Sequence, residues 1–296
     1  MTSSDDAFRA PATPYRAAGS LQGRTILMSG GSRGIGLAIA LRAARDGANV
    51  VLLAKTGQPH AKLQGTVFSA AEALEAAGGR ALPLVGDVRN DEDVAHAVAA
   101  AVEHFGGIDS VINNASAIDL STTDAVDMKR YDLMQDINVR GTFLLSKLAL
   151  PALRKSGGGH ILTLSPPLNL DPKWAGKHLA YTMAKYGMSL TTLGLAEELK
   201  TEGIRVNSLW PCTLIDTAAI RNMPGGDAIV RAARGPEIMA DAAHAVLTGS
   251  NLEKGTGSPT GNFYTDEQVL SASGVTDFRP YSLGAAEDSL VPDIFL

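Results

Sequence analysis

The sequence predicts one α/β domain in which a doubly wound parallel sheet lies between two layers of helices. Short runs that are apolar at every position alternate with alanine-rich helical stretches, and a glycine-rich turn follows the first run. Strands of this kind are typical of parallel sheets that are covered on both faces. No repeat or linker divides residues 25–266, so we expect a single-domain, three-layer α/β/α fold of Rossmann type.

Five short apolar runs predict the first five strands. They are TILMS (Thr25–Ser29), NVVLLA (Asn49–Ala54), ALPLVGDV (Ala81–Val88), VINN (Val111–Asn114) and HILTLS (His160–Ser165). A sixth strand should end just before Pro211. Because ligands of open parallel sheets bind at the carboxyl ends of the strands, the loops that follow these runs should form one neighbourhood.

The stretches between the strands predict the helices. These are Gly34–Asp46, Ser69–Ala77, Asp91–Phe105 and two longer helices around Thr123–Leu150 and His178–Glu202. The segment from Leu214 to Gly235 contains Gly225-Gly226 and is predicted to be a mobile lid over the site. Residues 1–20 are expected to form a flexible arm, residues 21–266 the domain, and residues 267–296 a tail that packs on the body or on a neighbouring subunit.

Composition narrows the class of protein. The 296 residues carry a formal net charge of −5 and 45% are hydrophobic, a balance typical of globular proteins. No concentrated run of lysine and arginine is present, which argues against a nucleic-acid partner. The only cysteine, Cys212, can form neither an internal disulfide nor a thiolate metal cluster, and no metal is expected. No apolar run approaches the ~18 residues of a membrane span, and the cytoplasm is the default location.

SGGSRGIG (Ser29–Gly36) lies between the first strand and the first helix. Gly30, Gly34 and Gly36 have the spacing G-x-x-x-G-x-G, which differs from the G-x-G-x-x-G of other dinucleotide-binding folds. Glycines let the backbone turn tightly and approach a pyrophosphate, whose charge is favoured by the helix N-terminus. A plain strand–helix turn can look the same, but the position after the first strand of an alternating chain favours a dinucleotide site.

Several further motifs occur in a fixed order. They are GDV at Asp87, NNAS at Asn113–Ser116, INVRG around Asn138, YTMAK at Tyr181–Lys185 and VNSLWP ending at Pro211. Together with SGGSRGIG they make the chain resemble the short-chain dehydrogenase/reductase family over nearly everything after the arm. AKTGQPH and SPPLNL are similar to the hydroxysteroid-dehydrogenase-like branch, with some similarity to bacterial terpenol dehydrogenases. Eukaryotic members of that branch append a sterol-carrier domain, for which we expect no room in this chain.

One position distinguishes the two nicotinamide cofactors. Folds that prefer NAD place a carboxylate at the end of the second strand, where it binds the ribose hydroxyls. That position is Ala54 here, followed by Lys55, with Arg33 nearby in the glycine loop. Two cations and no carboxylate suit a 2′-phosphate, so NADP(H) is predicted to be preferred and NAD(H) is the alternative. The other interpretation of Lys55 is a solvated loop residue.

The resemblance implies a larger set of cofactor contacts. Asp87 would contact the adenine, the alternative being a helix cap, and Thr217 would contact the carboxamide. The full set is Gly30, Gly31, Ser32, Arg33, Gly34, Ile35, Gly36, Lys55, Asp87, Val88, Asn114, Ala115, Tyr181, Lys185, Pro211 and Thr217. The family has glycine where Ser116 and Cys212 stand, so both residues are departures from its pattern.

Tyr181 and Lys185 lie four residues apart and should share one helix face. A free tyrosine has a pKa near 10; a nearby ammonium, and the positive ring of an oxidised nicotinamide, would lower it. We expect the pair to move the proton while the nicotinamide carries the hydride. The resemblance adds Asn138, which would hold a water linked to the lysine; the alternative is a buried structural asparagine.

The serine of the family's catalytic set is displaced in this chain. The family serine stands one residue after Ser165, where this sequence has Pro166. Two rigid prolines could turn Ser165 inward toward the site, because a fixed φ redirects the backbone, and Ser165 is the predicted catalytic hydroxyl. The alternative is that this role is absent and that Asn169, or Tyr181 alone, orients the substrate.

Leu168, Trp174 and Trp210 suggest apolar walls, so a lipophilic alcohol, ketone or aldehyde is the predicted substrate. Reduction of an activated C=C bond and a non-catalytic NADPH-binding sensor are the alternatives. The two long helices are apolar on more than one face. Related proteins pack these helices across subunits, which predicts a homodimer or homotetramer.

Overall fold

The computed structural model describes residues 13–59, 65–222, 225–249 and 260–296. Its strands are β1 (Thr25–Ser29), β2 (Asn49–Ala54), β3 (Arg80–Val85), β4 (Ser110–Asn113), β5 (His160–Thr163), β6 (Arg205–Trp210) and β7 (Phe263–Thr265). They form one seven-stranded sheet in the order β3-β2-β1-β4-β5-β6-β7, and neighbouring strands are parallel. The order reverses between β1 and β4, which opens the crevice where ligands of such sheets bind.

Helices cover both faces of the sheet. They are α1 (Gly34–Ala44), α2 (Val67–Ala76), α3 (Asp91–Phe105), α4 (Met128–Met134), α5 (Gly141–Lys155), α6 (Pro172–Lys177), α7 (Leu179–Glu198), α8 (Ala218–Arg221), α9 (Gly226–Arg231), α10 (Glu237–Thr248) and α11 (Asp266–Ala272). Successive side chains of a strand point to opposite faces, so Ile26 and Met28 pack with α1, α2, α10 and α11, whereas Leu27 packs with α3, α5 and α7. The predicted doubly wound α/β/α fold is confirmed.

Several element boundaries differ from the prediction for local reasons. The expected helix around Thr123–Leu150 is divided into α4, a π-helical segment over Gln135–Arg140, and α5. β3 ends at Val85 because the backbone N–H of Asp87 turns out of the sheet to donate to Asp93 at 2.8 Å. β7 spans only three residues, too few to produce a pattern in the sequence.

Part of the predicted arm belongs to the body of the protein. Residues 1–12 of that arm lie outside the described residues, but Tyr15 is 6% exposed, and its hydroxyl lies 3.0 Å from Nδ1 of His244. The domain therefore begins before residue 21, because Tyr15 has a buried partner on α10. At the other end Tyr281 and Phe295 are buried within this chain. Among the described residues, no helix combines the length and apolarity that crossing a membrane would require.

Candidate active site

The glycine loop turns between β1 and α1 and closes onto the end of β4. Gly30 and Gly34 have φ of 74° and 55°, values that L side chains rarely adopt. A Cβ on Gly36 would lie 2.5 Å from Nδ2 of Asn114. That same nitrogen donates to the carbonyl of Gly30 at 2.8 Å. Glycine is therefore required at these positions both for the turn and for its contact with the loop after β4.

The N-terminus of α1 is available to an anion. Within the described chain no side chain caps this helix, and no acidic residue lies in its first turn. The first N–H groups of a helix have no partner inside the helix and carry a partial positive charge. The turn thus presents the features that a pyrophosphate needs.

A cavity of about 530 Å³ lies over the carboxyl ends of the first four strands. Twelve of the sixteen predicted cofactor contacts line it: Gly30, Ser32, Arg33, Gly34, Ile35, Gly36, Lys55, Asp87, Val88, Asn114, Ala115 and Thr217. Gly31, Tyr181, Lys185 and Pro211 do not. Gly31 faces the sheet, because a Cβ there would lie 2.5 Å from Cδ2 of Leu52. The lining, the glycine turn and the uncapped helix together fit a dinucleotide.

The cavity wall beside β2 is positively charged. Nζ of Lys55 lies 3.1 Å from Asp87, and Arg89 lies 2.6 Å from the same carboxylate oxygen. Burial alone would raise the pKa of Asp87, but hydrogen bonds from Arg89 and Lys55 outweigh it and hold that pKa at about 2. Asp87 does not cap α3, because Asn90 accepts the first N–H groups of that helix. The alternative role that the sequence left open for Asp87 is therefore excluded.

Tyr181 and Lys185 lie one turn apart on α7, and both are buried. Nζ of Lys185 donates to the carbonyl of Leu164 at 2.6 Å and lies 4.9 Å from the ring centroid of Trp210. Burial lowers the pKa of Lys185 to about 7, against the opposing effect of Asp293.

The pKa of Tyr181 shifts in the direction opposite to the expected one. Burial raises it above its ordinary value, the charge of Asp293 raises it further, and a hydrogen bond with Ser116 opposes the rise. The physical reason is that the phenolate would lose its water, while the Lys185 amine is directed to a backbone carbonyl. With Lys185 donating to the carbonyl of Leu164, its amine does not lower the pKa of Tyr181.

Ser165 is engaged within the core. Its side chain is fully buried, and its hydroxyl lies 2.8 Å from that of Ser208 on β6, which donates to Thr192 at 2.9 Å. Asn169, the alternative, is also engaged, since its side chain donates to Phe295 O at 3.3 Å and accepts from the N–H of Asp171 at 3.0 Å. This geometry does not support a contact between Ser165 and a substrate.

Ser116 is a hydroxyl that the structure places near Tyr181. It is exposed, lines the cavity and lies close enough to Tyr181 to lower the pKa of that phenol. The sequence showed this residue only as a departure from the family glycine. Its significance was missed because the fold alone brings the loop after β4 against α7.

Asn138 holds that loop in place. It lies in the π-helical segment, is fully buried, accepts from the N–H of Ala117 at 2.8 Å and donates to the carbonyl of Ala117 at 3.0 Å. Single π-helical turns often occur at functional sites. Both polar groups of the side chain thus position the residue that follows Ser116.

The family model for short chain dehydrogenase matches residues 24–224. The chain belongs to this family. Hydroxysteroid dehydrogenase-like protein 2 from Xenopus laevis is 52% identical over 278 residues, which cover 94% of this chain and 64% of that protein. The chain spans 51–65% of the length of the curated relatives it matches, and the predicted branch is confirmed.

Solved structures agree with the assignment. A short chain dehydrogenase from Mycobacterium thermoresistibile has a TM-score of 0.86 and 51% identity, covering 94% of this chain and 96% of its own. L-sorbose reductase from Gluconobacter frateurii, solved with NADPH and L-sorbose, has a TM-score of 0.71 and 26% identity, covering 84% and 97% of the two chains. Both structures thus support the membership of this chain in the short-chain dehydrogenase family.

The loop after β6 completes the site of this short-chain dehydrogenase. Thr217 lines the cavity opposite the glycine turn, where a Cβ on Gly34 would lie 3.5 Å from its methyl group. Cys212 is partly buried, and burial raises the pKa of its thiol to about 12. A thiol of that pKa is not a nucleophile at neutral pH, which agrees with a purely structural role for Cys212.

Proposed function

We propose that this short-chain dehydrogenase interconverts a lipophilic alcohol and its ketone or aldehyde, with NADP(H) preferred over NAD(H). The placement of Tyr181 beside Ser116, a residue that lines the cavity, carries the proposal. It joins a buried phenol to a hydroxyl that lines the dinucleotide cavity. A proton donor is thereby positioned at the edge of the space that holds the cofactor.

Each residue has a distinct part in the proposed reaction. When bound, the nicotinamide supplies or accepts the hydride. Tyr181 donates its proton to the carbonyl oxygen in reduction and accepts it back in oxidation, and Ser116 orients that oxygen. Lys185 is a positioning residue: turned from the carbonyl of Leu164 toward the phenol, its ammonium form would favour the phenolate. Asn138 acts through the backbone of Ala117, which keeps Ser116 in reach.

The preference for NADP(H) is supported by charge. Arg33 and Lys55 line the cavity at the end of β2, where the last strand residue is Ala54. The carboxylate of Asp87 lies close by but is paired with Lys55 and Arg89, so the positive charge of this wall exceeds the negative. Guanidinium and ammonium groups are the usual partners of a phosphate.

A homodimer or homotetramer is also proposed. Large apolar side chains of α5 and α7 are exposed in this chain, namely Phe143, Leu179, Met183, Leu190 and Leu193, each with 41–56% of its surface accessible. Contiguous apolar surface of this kind marks protein–protein contact. Self-association would bury it, and sedimentation velocity would give the number of subunits.

Absorbance at 340 nm with NADPH and a panel of ketones, aldehydes and enones tests the proposed reaction. Tyr181→Phe should lower kcat by about 100-fold or more while leaving the Kd for NADPH unchanged, since only the proton donor is removed. Tyr15→Phe, which removes another buried hydroxyl, should retain full activity. Substantial turnover by Tyr181→Phe would overturn the assignment, and activity confined to enones would replace it with C=C reduction.

A further inference from the structure

The segment Val291–Leu296 places one aromatic ring against the reactive tyrosine. Phe295 is fully buried, and its ring stacks on that of Tyr181 with centroids 6.2 Å apart and planes at 29°. Four other rings surround it at centroid distances of 5.3–5.9 Å, those of Trp174, His178, Tyr186 and Trp210. We call the five rings around Phe295, those of Tyr181, Trp174, His178, Tyr186 and Trp210, the aromatic cage.

Hydrogen bonds hold the segment along the loop that follows β6. The N–H of Leu214 donates to Val291 at 2.9 Å, and the N–H of Asp293 donates to Cys212 at 3.0 Å. The indole of Trp210 donates to Ile294 O at 2.9 Å. Of these three donors only the indole of Trp210 belongs to the cage, and of the segment only Phe295 packs among its rings.

The backbone of Phe295 is strained. Its φ is 77°, and among the described residues it is the only non-glycine residue with a positive φ. A bulky residue in this conformation is disfavoured and persists only where its surroundings impose it. The strain weakens the docked position relative to an undocked one in which φ relaxes.

The cage lies where an apolar substrate would have to sit. A substrate whose carbonyl meets Tyr181 must extend past that ring, and Phe295 occupies the space beside it, leaving Tyr181 5% exposed. We propose that the aromatic cage is the apolar subsite for the substrate and that Phe295 fills it until a ring-bearing ketone or alcohol displaces it. This inference rests on the proposed function and specifies its substrate class.

The walls of the cage carry two unused polar atoms. Trp174 Nε1 and His178 Nε2 are buried, and within the described chain neither has a hydrogen-bond partner. Thr182 donates its proton to backbone carbonyls, so the Nδ1 of His178 that lies 3.0 Å from it must carry the hydrogen. The cage therefore offers one donor and one acceptor. The donor and the acceptor suit a ligand that is a hydrocarbon ring system with a second oxygen, in addition to the carbonyl or hydroxyl that meets Tyr181.

Displacing Phe295 has a predictable cost in affinity. Burying a phenylalanine side chain changes the equilibrium constant between the undocked and docked positions of Phe295 by roughly 10- to 100-fold. A ligand that binds only the undocked state has its apparent affinity lowered by the fraction of that state. Removing the ring should therefore tighten the binding of a cage ligand by about 10- to 100-fold.

The intrinsic fluorescence of the protein reports on the cage alone, because both of its tryptophans, Trp174 and Trp210, line it. The experiment titrates 1-decalone, a saturated bicyclic ketone, into the unaltered chain and into Phe295→Ala. Leu296→Ala, which alters the exposed neighbour, is the matched control. Phe295→Ala should show red-shifted emission that decalone reverses, with a Kd about 10- to 100-fold lower than that of the other two proteins.

Equal Kd values for Phe295→Ala and the unaltered chain would overturn the inference, as would tryptophan emission that decalone does not change. Should the alanine variant fail to fold, the Kd for decalone is compared between Phe295→Leu and the unaltered chain by the same change in tryptophan emission. Butan-2-one, which has no ring, should leave the emission unchanged. Because binding is measured without turnover, decalone that binds but is not reduced would count against the proposed reaction and leave the cage assignment standing.

Discussion

Two alanine substitutions separate the hydroxyl that we propose to face the substrate, that of Ser116, from the buried hydroxyl of Ser165. Ser116→Ala removes the hydroxyl beside Tyr181, which we propose to orient the substrate oxygen, from an exposed position. A hydrogen bond to a group that develops charge contributes about 1.5–3 kcal/mol, which corresponds to a loss of roughly 10- to 150-fold in kcat/KM. Stability should change by less than about 0.5 kcal/mol, as for other exposed positions.

Ser165→Ala should have the opposite effect. It removes the 2.8 Å contact with Ser208, which keeps its bond to Thr192 at 2.9 Å. One lost hydrogen bond with a partner that stays satisfied costs about 1 kcal/mol. For a chain of this length that lowers Tm by about 2 °C. The value of kcat/KM should not change.

Initial rates at 340 nm with a ring ketone, together with thermal melts, measure both effects on the same samples. The two variants are each other's controls, since each loses one hydroxyl from the same region. A Ser165→Ala protein with normal Tm and a tenfold lower kcat/KM, beside a fully active Ser116→Ala protein, would refute the assignment and restore Ser165 as the catalytic hydroxyl.

Three further substitutions address the cofactor, the pH response and the loop after β4. Lys55→Ala should raise the KM for NADPH by about 5- to 30-fold, which is the effect of losing one charged contact. The KM for NADH should not change. Lys155→Ala, a substitution at an exposed position, is the control and should change neither KM. Burial lowers the pKa of His160 to about 3 from its ordinary 6.5; below pH 6.5 the unfolded chain takes up a proton that the folded one does not. Between pH 7.5 and pH 5 the free energy of unfolding of the unaltered chain should therefore change less favourably than that of His160→Phe, by about 2 kcal/mol in urea titrations; the raised pKa values of Asp266 and Asp293, about 6 and about 7, affect both proteins alike. Asn138→Ala leaves both backbone polar groups of Ala117 without their partner; it should lower the free energy of unfolding by about 2–3 kcal/mol and should also lower kcat. A normal melting temperature would contradict the role of Asn138 in holding this loop.

The parts of the fold that depend on short segments were predictable. β1, β2 and α3 have the predicted bounds, because uniform apolarity and helix spacing are properties of neighbouring residues. The glycine turn was predictable for the same reason, since Gly30 and Gly34 need positive φ whatever surrounds them. The division around Gln135–Arg140 was not, because a π-helical segment adds one residue to a turn without a distinctive pattern.

By itself the sequence determined the order of strands and helices, the dinucleotide loop and the family. Only the tertiary structure decided which hydroxyl meets Tyr181 and what covers its ring. Ser165 is drawn inward by Ser208, 43 residues away, and the carbonyl of Phe295 meets Asn169, 126 residues away. Contacts at such separations depend on how helices and loops pack on the sheet, and the composition of either segment alone contains no record of the other.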